Sequence, residues 1–253
     1  MPSLNLRPAL LALAATAGLL AVGCASMTTR TQTATLLDQE LAGPQRTEAD
    51  RARDAWRHPK ETLLFFGLRP EMTVVEITPG AGWYMKVIAP LLREQGRYIA
   101  ALPATGEGQI VERQLQQFKA LVADWPEKLG KAEVAPFLPG QPIAPDGTAD
   151  MVLTFRNIHS WRGPDTAAAA FESMYKVLKP GGVLGVVEHR GNSAVPQDPR
   201  AGSGYVNQEY AIRLIEGAGF RLVATSEINA NPKDTKDYPR GVWTLPPGLA
   251  EGD

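Results

Sequence analysis

The run Thr73-Val74-Val75-Glu76-Ile77 is short and β-branched, and it hands over at once to Thr78-Pro79-Gly80-Ala81-Gly82. Residues Tyr84–Glu94 then carry the apolar spacing of a helix. A buried strand that turns through glycines straight into a helix is the opening of a β-α-β unit, and it commits the chain to a largely parallel sheet covered by helices. The alternation continues. Further strands are predicted at Arg97–Leu102, Ala132–Phe137, Asp150–Phe155, Val183–Glu188, Phe220–Ile228 and Gly241–Leu245, with helices at Gln109–Ala123, Thr166–Leu178 and Asn207–Gly217. The expected fold is α/β, a seven-stranded, mostly parallel sheet with helices on both faces. Ahead of it, Thr47-Glu48-Ala49-Asp50 has the pattern of a capping box, and Lys60–Phe66 reads as a short helix ending at Gly67. No fixed-period repeat and no second composition boundary follows, so residues 47–253 read as one domain.

The N-terminus is of another kind. Arg7 precedes an apolar stretch from Ala9 to Val22, about 14 residues long, which suits a signal-peptide core and is short for a membrane span. Leu20-Ala21-Val22-Gly23-Cys24 resembles a bacterial lipobox, with Ala21 where leucine is usual. The expectation is a lipoprotein signal peptide over 1–23, diacylglycerol on Cys24, and a polar, flexible tether over 24–46. Ala25 resembles the residue of lipoproteins sorted to the outer membrane, so the body is expected to face the periplasm. Cys24 is the sole cysteine, which excludes an internal disulfide and thiol chemistry in the mature body. A net charge of −1 supplies no basic excess for phosphate neutralisation, and nucleic acid is not an expected partner.

Taken alone, Gly80 and Gly82 mark a tight strand-to-helix turn. They have company. Pro145-Asp146-Gly147-Thr148-Ala149-Asp150-Met151-Val152-Leu153 leads into the fourth strand, and Asn157-Ile158-His159-Ser160-Trp161 follows it. Met174-Tyr175-Lys176-Val177-Leu178-Lys179-Pro180-Gly181-Gly182-Val183-Leu184 enters the fifth strand, and Ile215-Glu216-Gly217-Ala218-Gly219-Phe220 the sixth. In this order, over about residues 60–245, these segments resemble the motifs of class I S-adenosylmethionine (SAM)-dependent methyltransferases. Their first motif, an acid followed by Gly-x-Gly-x-Gly, is matched by Glu76, Gly80 and Gly82, with Thr78 in the first glycine's place. Pro79-Gly80-Ala81-Gly82-Trp83-Tyr84 is also similar to a variant found in a subset of exported predicted methyltransferases. The resemblance implies a Rossmann-like class I methyltransferase fold, SAM as cofactor and a small-molecule substrate.

Under that resemblance, Glu76, Thr78, Gly80, Gly82 and Tyr84 would bind the donor, and Asn157, His159 and Glu188 would face the substrate as catalytic candidates. Glu76 is equally suited to capping N–H groups at the strand end. His159 is a base, a substrate-orienting group or a loop histidine bonded to backbone. His159, His189 and Glu188 could together ligate a metal, but no two-histidine helical spacing supports it, and no metal is expected. Trp83, Tyr84 and Trp161 wall a pocket or fill the core; Tyr205 and Tyr210 are surface or lid residues. The second strand departs from the family, ending Ala100-Ala101-Leu102-Pro103 without the acid that would accept the ribose hydroxyls; the nearest is Glu107. Two functions stand side by side: methyl transfer to a small molecule, or a repurposed, non-catalytic envelope lipoprotein that binds a ligand on a methyltransferase fold. Oligomeric state is left open.

Overall fold

The computed structural model describes residues 29–104, 108–161, 163–246 and 248–250. The signal peptide, Cys24 and Glu107 lie outside the described residues. Five strands form one parallel sheet in the order β3-β2-β1-β4-β5: β1 Thr73–Ile77, β2 Arg97–Pro103, β3 Glu133–Phe137, β4 Ala149–Phe155 and β5 Leu178–Val187. β1 is central, with Glu76 opposite Ala100 of β2 and Leu153 of β4.

Pleat alternation divides the core in two. Val74, Tyr98, Ala100, Met151 and Leu153 face α5 (Met85–Leu92) and α6 (Gly108–Asp124), together with Leu63 of α4 (Pro59–Phe65). Val75, Ile77, Ile99, Ala101 and Val152 face the other way, onto Ala167, Ala170, Phe171 and Met174 of α8 (Pro164–Val177), with α9 (Gln208–Gly217) beside it. Helices therefore cover both faces, as a parallel sheet with two apolar sides requires.

The N-terminal region departs from the tether expectation. Residues 29–41 form a helix, α1, whose Thr33 and Leu37 are fully buried. The spacing Thr33, Leu37, Leu41 is one helical face, and it packs onto the sheet's first core. Between α1 and α4 lie two single-turn helices, α2 (Glu48–Arg51) and α3 (Asp54–Arg57). The capping box is formed: Asp50 N donates to Thr47 Oγ1 at 3.1 Å and Thr47 N to Asp50 Oδ2 at 2.9 Å. Arg46, its side chain wholly buried, is held by both Asp54 oxygens at 2.6 and 2.7 Å.

The sixth and seventh strands are not formed, and the sheet has five strands rather than seven. Residues 220–227 join no ladder; Val223 is 87% exposed, and the segment is tied back by a side-chain ion pair, Glu227 with Arg190. β-Branched composition marks a suitable strand, but only pairing makes one. Residues Gly241–Thr244 form a 3-10 turn instead, started by Gly241 at φ 58° and stopped by Pro246. Among the described residues, no helix is long and apolar enough to cross a membrane.

Candidate functional site

Strand order reverses between β1 and β4, since β1 leads to β2 on one side while β4 returns on the other. In such sheets the loops at the carboxyl ends of these two strands diverge and leave a crevice. Two loops meet there, residues 78–84 after β1 and 156–161 after β4.

The first loop has left-handed backbone at every second residue: Thr78 φ 49°, Gly80 φ 59°, Gly82 φ 76°. Thr78 thus adopts the conformation of the glycine it replaces, at a steric cost of roughly 1–2 kcal/mol, and is pinned by its N–H on Ala101 O at 2.9 Å. The two glycines differ. A Cβ on Gly82 would meet Leu121 Cδ2 at 2.5 Å, whereas a Cβ on Gly80 would meet nothing within 4 Å. Gly82 is there for packing, while Gly80 faces open space.

Glu76 lies beneath this loop, buried, accepting a hydrogen bond from the Tyr98 hydroxyl at 2.6 Å. Loss of water pushes its carboxyl up to about 7, only partly offset by the Tyr98 bond and the Arg156 charge. Tyr84 stacks on Phe155 with centroids 3.6 Å apart, and Trp83 stands edge-on to it at 4.6 Å. Trp83 turns toward α2, donating Nε1 to Asp50 O at 3.0 Å. Trp161 packs edge-on to Phe171 in the second core. Trp83 and Trp161 are thus core residues, and Leu102 packs with Trp83 in the first core.

The second loop is built around two polar side chains. Asn157 Nδ2 donates to Ile77 O at 2.8 Å and to Thr154 Oγ1 at 3.1 Å, fastening the ends of β4 and β1 together. Its amide is occupied by the scaffold, which makes it a positioning residue. Glu188, just past β5, accepts from Ile158 N at 2.8 Å, from His189 N at 2.8 Å, and meets His159 Nδ1 at 3.1 Å. A carboxylate only accepts, so this contact calls for a hydrogen on Nδ1, and in the neutral ring Nε2 is then the acceptor. The pair has the form of a carboxylate-oriented base.

Around this pair the structure gathers residues that the sequence did not assign to the site. Trp243, from the turn expected to be a seventh strand, stands edge-on to His159 at 5.9 Å, and His189 lies 6.3 Å from His159 and from Tyr205. Burial lowers His189 to about 4, outweighing the Glu188 charge. The Tyr205 hydroxyl donates to Asp234 at 2.7 Å. Tyr210 packs against the second core. Arg156, at φ 59°, also enters, with its N–H on Val187 O at 2.7 Å. A lone arginine after a strand carries no recognisable signal, and the C-terminal residues lie far away in sequence. Among the described residues, no group of three or more His, Cys, Asp or Glu is arranged to hold a metal ion. A shallow hollow lined by Arg93, Arg97, Lys128 and Lys131 sits at the amino ends of β2 and β3, at the opposite edge of the sheet.

The sequence matches no family model and no curated relative. Solved structures do match. A SAM-dependent methyltransferase from Aquifex aeolicus is 21% identical with a TM-score of 0.54, over 68% of this chain and 85% of that one. The cyclase SpnF is 15% identical with a TM-score of 0.50, over 72% of this chain and 63% of its own. The fold is that of the class I methyltransferases. The loop of residues 78–82 follows β1 directly, and Glu76 is the penultimate residue of that strand. The described end of β2, Leu102-Pro103, has no acid to accept ribose hydroxyls.

Proposed function

We propose that this protein is a SAM-dependent methyltransferase acting on a small molecule. The observation that carries the reading is the turn at Thr78, Gly80 and Gly82, left-handed at alternate residues and open above Gly80, at the switch point of a class I methyltransferase sheet. Such a loop lets the backbone lie against a ligand, and the residues present fit the methionine end of the donor. Glu76 and the backbone of 78–82 would hold that end, and bound SAM supplies an activated methyl group for in-line displacement. The chain's own task is alignment and exclusion of water. Asn157 fixes the spacing of the two loops, and His159, its Nδ1 engaged by Glu188, offers Nε2 to a proton leaving the acceptor.

Calorimetric titration with SAM and with S-adenosylhomocysteine tests the reading. Saturable binding is expected for both; no heat and no thermal shift at millimolar ligand would sink it. The N-terminal pattern supports a second part of the proposal: the chain is lipidated at Cys24 and works in the cell envelope facing the periplasm, at the outer membrane. Incorporation of labelled palmitate into the wild type and its loss in Cys24→Ala is the expected outcome, and fractionation of the envelope reads the membrane.

A further inference from the structure

Three arginines lie within electrostatic reach of one another near the loop after β1. Arg53 and Arg57 stand four residues apart along α3 and its cap, on one side of the helix, and Arg156 follows β4. The Arg57 guanidinium lies 4.6 Å from the centre of the Trp83 ring, next to the loop that carries Gly80 and Gly82. None of the three forms an ion pair among the described residues. The acids around them are already committed: Asp50 to Lys86, Asp54 to Arg46, Glu76 to Tyr98 and Glu188 to His159 and two backbone amides. The cations also oppose one another. Loss of water and then the Arg156 and Arg53 charges bring Arg57 down to about 9, and burial followed by the Arg156 charge lowers Arg53.

A second, independent observation points into the same place. Tyr84, 2% exposed, has a buried hydroxyl that makes no hydrogen bond of good geometry, although Thr62 lies close enough to favour its charged form. Its polar neighbour Thr62 already donates to Arg57 O at 3.3 Å and accepts from Asn229 Nδ2 at 3.1 Å. That hydroxyl lies within electrostatic reach of both Arg57 and Arg156. A buried hydroxyl without a hydrogen-bond partner costs roughly 1–3 kcal/mol, and although Glu76 and Glu188 favour the Arg156 charge and Asp50 those of Arg53 and Arg57, none of the three arginines is ion-paired among the described residues. A fold retains such an arrangement where something else completes it.

The geometry points to an oxyanion site formed by Arg53, Arg57, Arg156 and the Tyr84 hydroxyl, which binds a carboxylate or phosphate group of the acceptor substrate. Guanidinium forks only donate and a phenol O–H can donate, so together they match the oxygens of such a group. The donor's own carboxylate fits less well as the occupant, because SAM carries a net positive charge and leaves the cluster's repulsion uncompensated. An anionic acceptor neutralises the arginines and the sulfonium together. The assignment to the acceptor rests on the methyltransferase reading; the anion site itself does not.

The test uses inorganic phosphate and malonate as probes on the full-length protein, by calorimetry at low ionic strength and without SAM. Saturable binding of either is expected in the wild type and in Arg213→Gln, an exposed control on α9, with at least a tenfold loss in Arg57→Gln and in Arg156→Gln. Thermal midpoints without ligand distinguish a binding role from a structural one. Removing a repelled cation is expected to leave the midpoint unchanged or raise it, whereas a fall in both variants would make the arginines structural and overturn the proposal. Binding of neither probe, or equal binding in all variants, overturns it as well. S-adenosylhomocysteine is expected to bind alongside the probe. If it displaces the probe competitively, the cluster belongs to the donor and the acceptor assignment is wrong; if it fails to bind while the probe binds, the methyltransferase reading falls and the anion site stands.

Discussion

Tyr98 gives its hydroxyl to Glu76 across the β1–β2 pair at 2.6 Å, with both side chains buried beneath the glycine turn. The two residues share one face of the sheet, Tyr98 lying one pleat upstream of Glu76's partner Ala100. This bond is the main compensation for a carboxyl group removed from water.

Glu76 holds its proton more tightly in the folded state, at about 7 against the ordinary 4.5. A raised carboxyl value means stability that is fully present below the unfolded value and lost as pH rises through about 7. The loss is on the order of 3 kcal/mol between pH 4.5 and 8. Denaturant unfolding at pH 5 and pH 8 is expected to show this slope in the wild type and a flatter one in Glu76→Gln. Tyr98→Phe is expected to steepen it.

His189 acts in the opposite direction. Its folded value, about 4, lies below the ordinary 6.5, so its contribution is present above pH 6.5 and is lost as pH falls toward 4. His189→Gln is expected to recover about 2 kcal/mol of stability at pH 4.5 relative to the wild type, read by thermal unfolding. NMR titration of the ring should find it neutral at pH 6.

The glycine turn separates packing from binding. Gly82→Ala is expected to destabilise by roughly 1–3 kcal/mol, because its Cβ meets Leu121. Gly80→Ala should cost only about 1 kcal/mol of backbone strain, yet reduce SAM affinity at least tenfold by filling the open space. Thr78→Gly should leave stability unchanged or raise it, since it relieves a left-handed threonine. Thermal midpoints and SAM titration of the three variants check the set.

Arg46 is the largest charge committed to the interior. With its side chain at 0% exposure and Asp54 its one acidic partner among the described residues, Asp54→Asn is expected to cost about 3–5 kcal/mol, because the guanidinium stays buried without a counter-charge. Chemical denaturation measures this. Lys60 and Asp38, an exposed pair, provide the contrast: Asp38→Asn should change stability by less than about 1 kcal/mol.

The five strands were legible because short β-branched runs such as Thr73–Ile77 alternate with helical segments; β5 nevertheless starts at Leu178, so the Lys179-Pro180-Gly181-Gly182 run that looked like a turn ahead of Val183 lies within the strand. The outer two were misjudged because pairing, unlike propensity, is not written in a segment such as 220–227. Helix α1 was hidden by its threonines, although Thr33, Leu37 and Leu41 already carried a helical spacing. At the site, Gly80, Gly82, His159 and Glu188 were singled out by their positions at strand ends, whereas the contact between His159 and Glu188 was not readable. The arginines were not, since Arg53 and Arg57 look like any solvated helix face until the fold turns them toward Arg156.

Helix α1 also sets a distance. Its described residues start at Thr29, five past Cys24, and a chain of that length reaches at most about 17 Å in any conformation. Acylated at that cysteine, the domain would ride close against the bilayer surface instead of ranging through the compartment on a long leash, and its reach for substrates would be a thin layer next to the lipid.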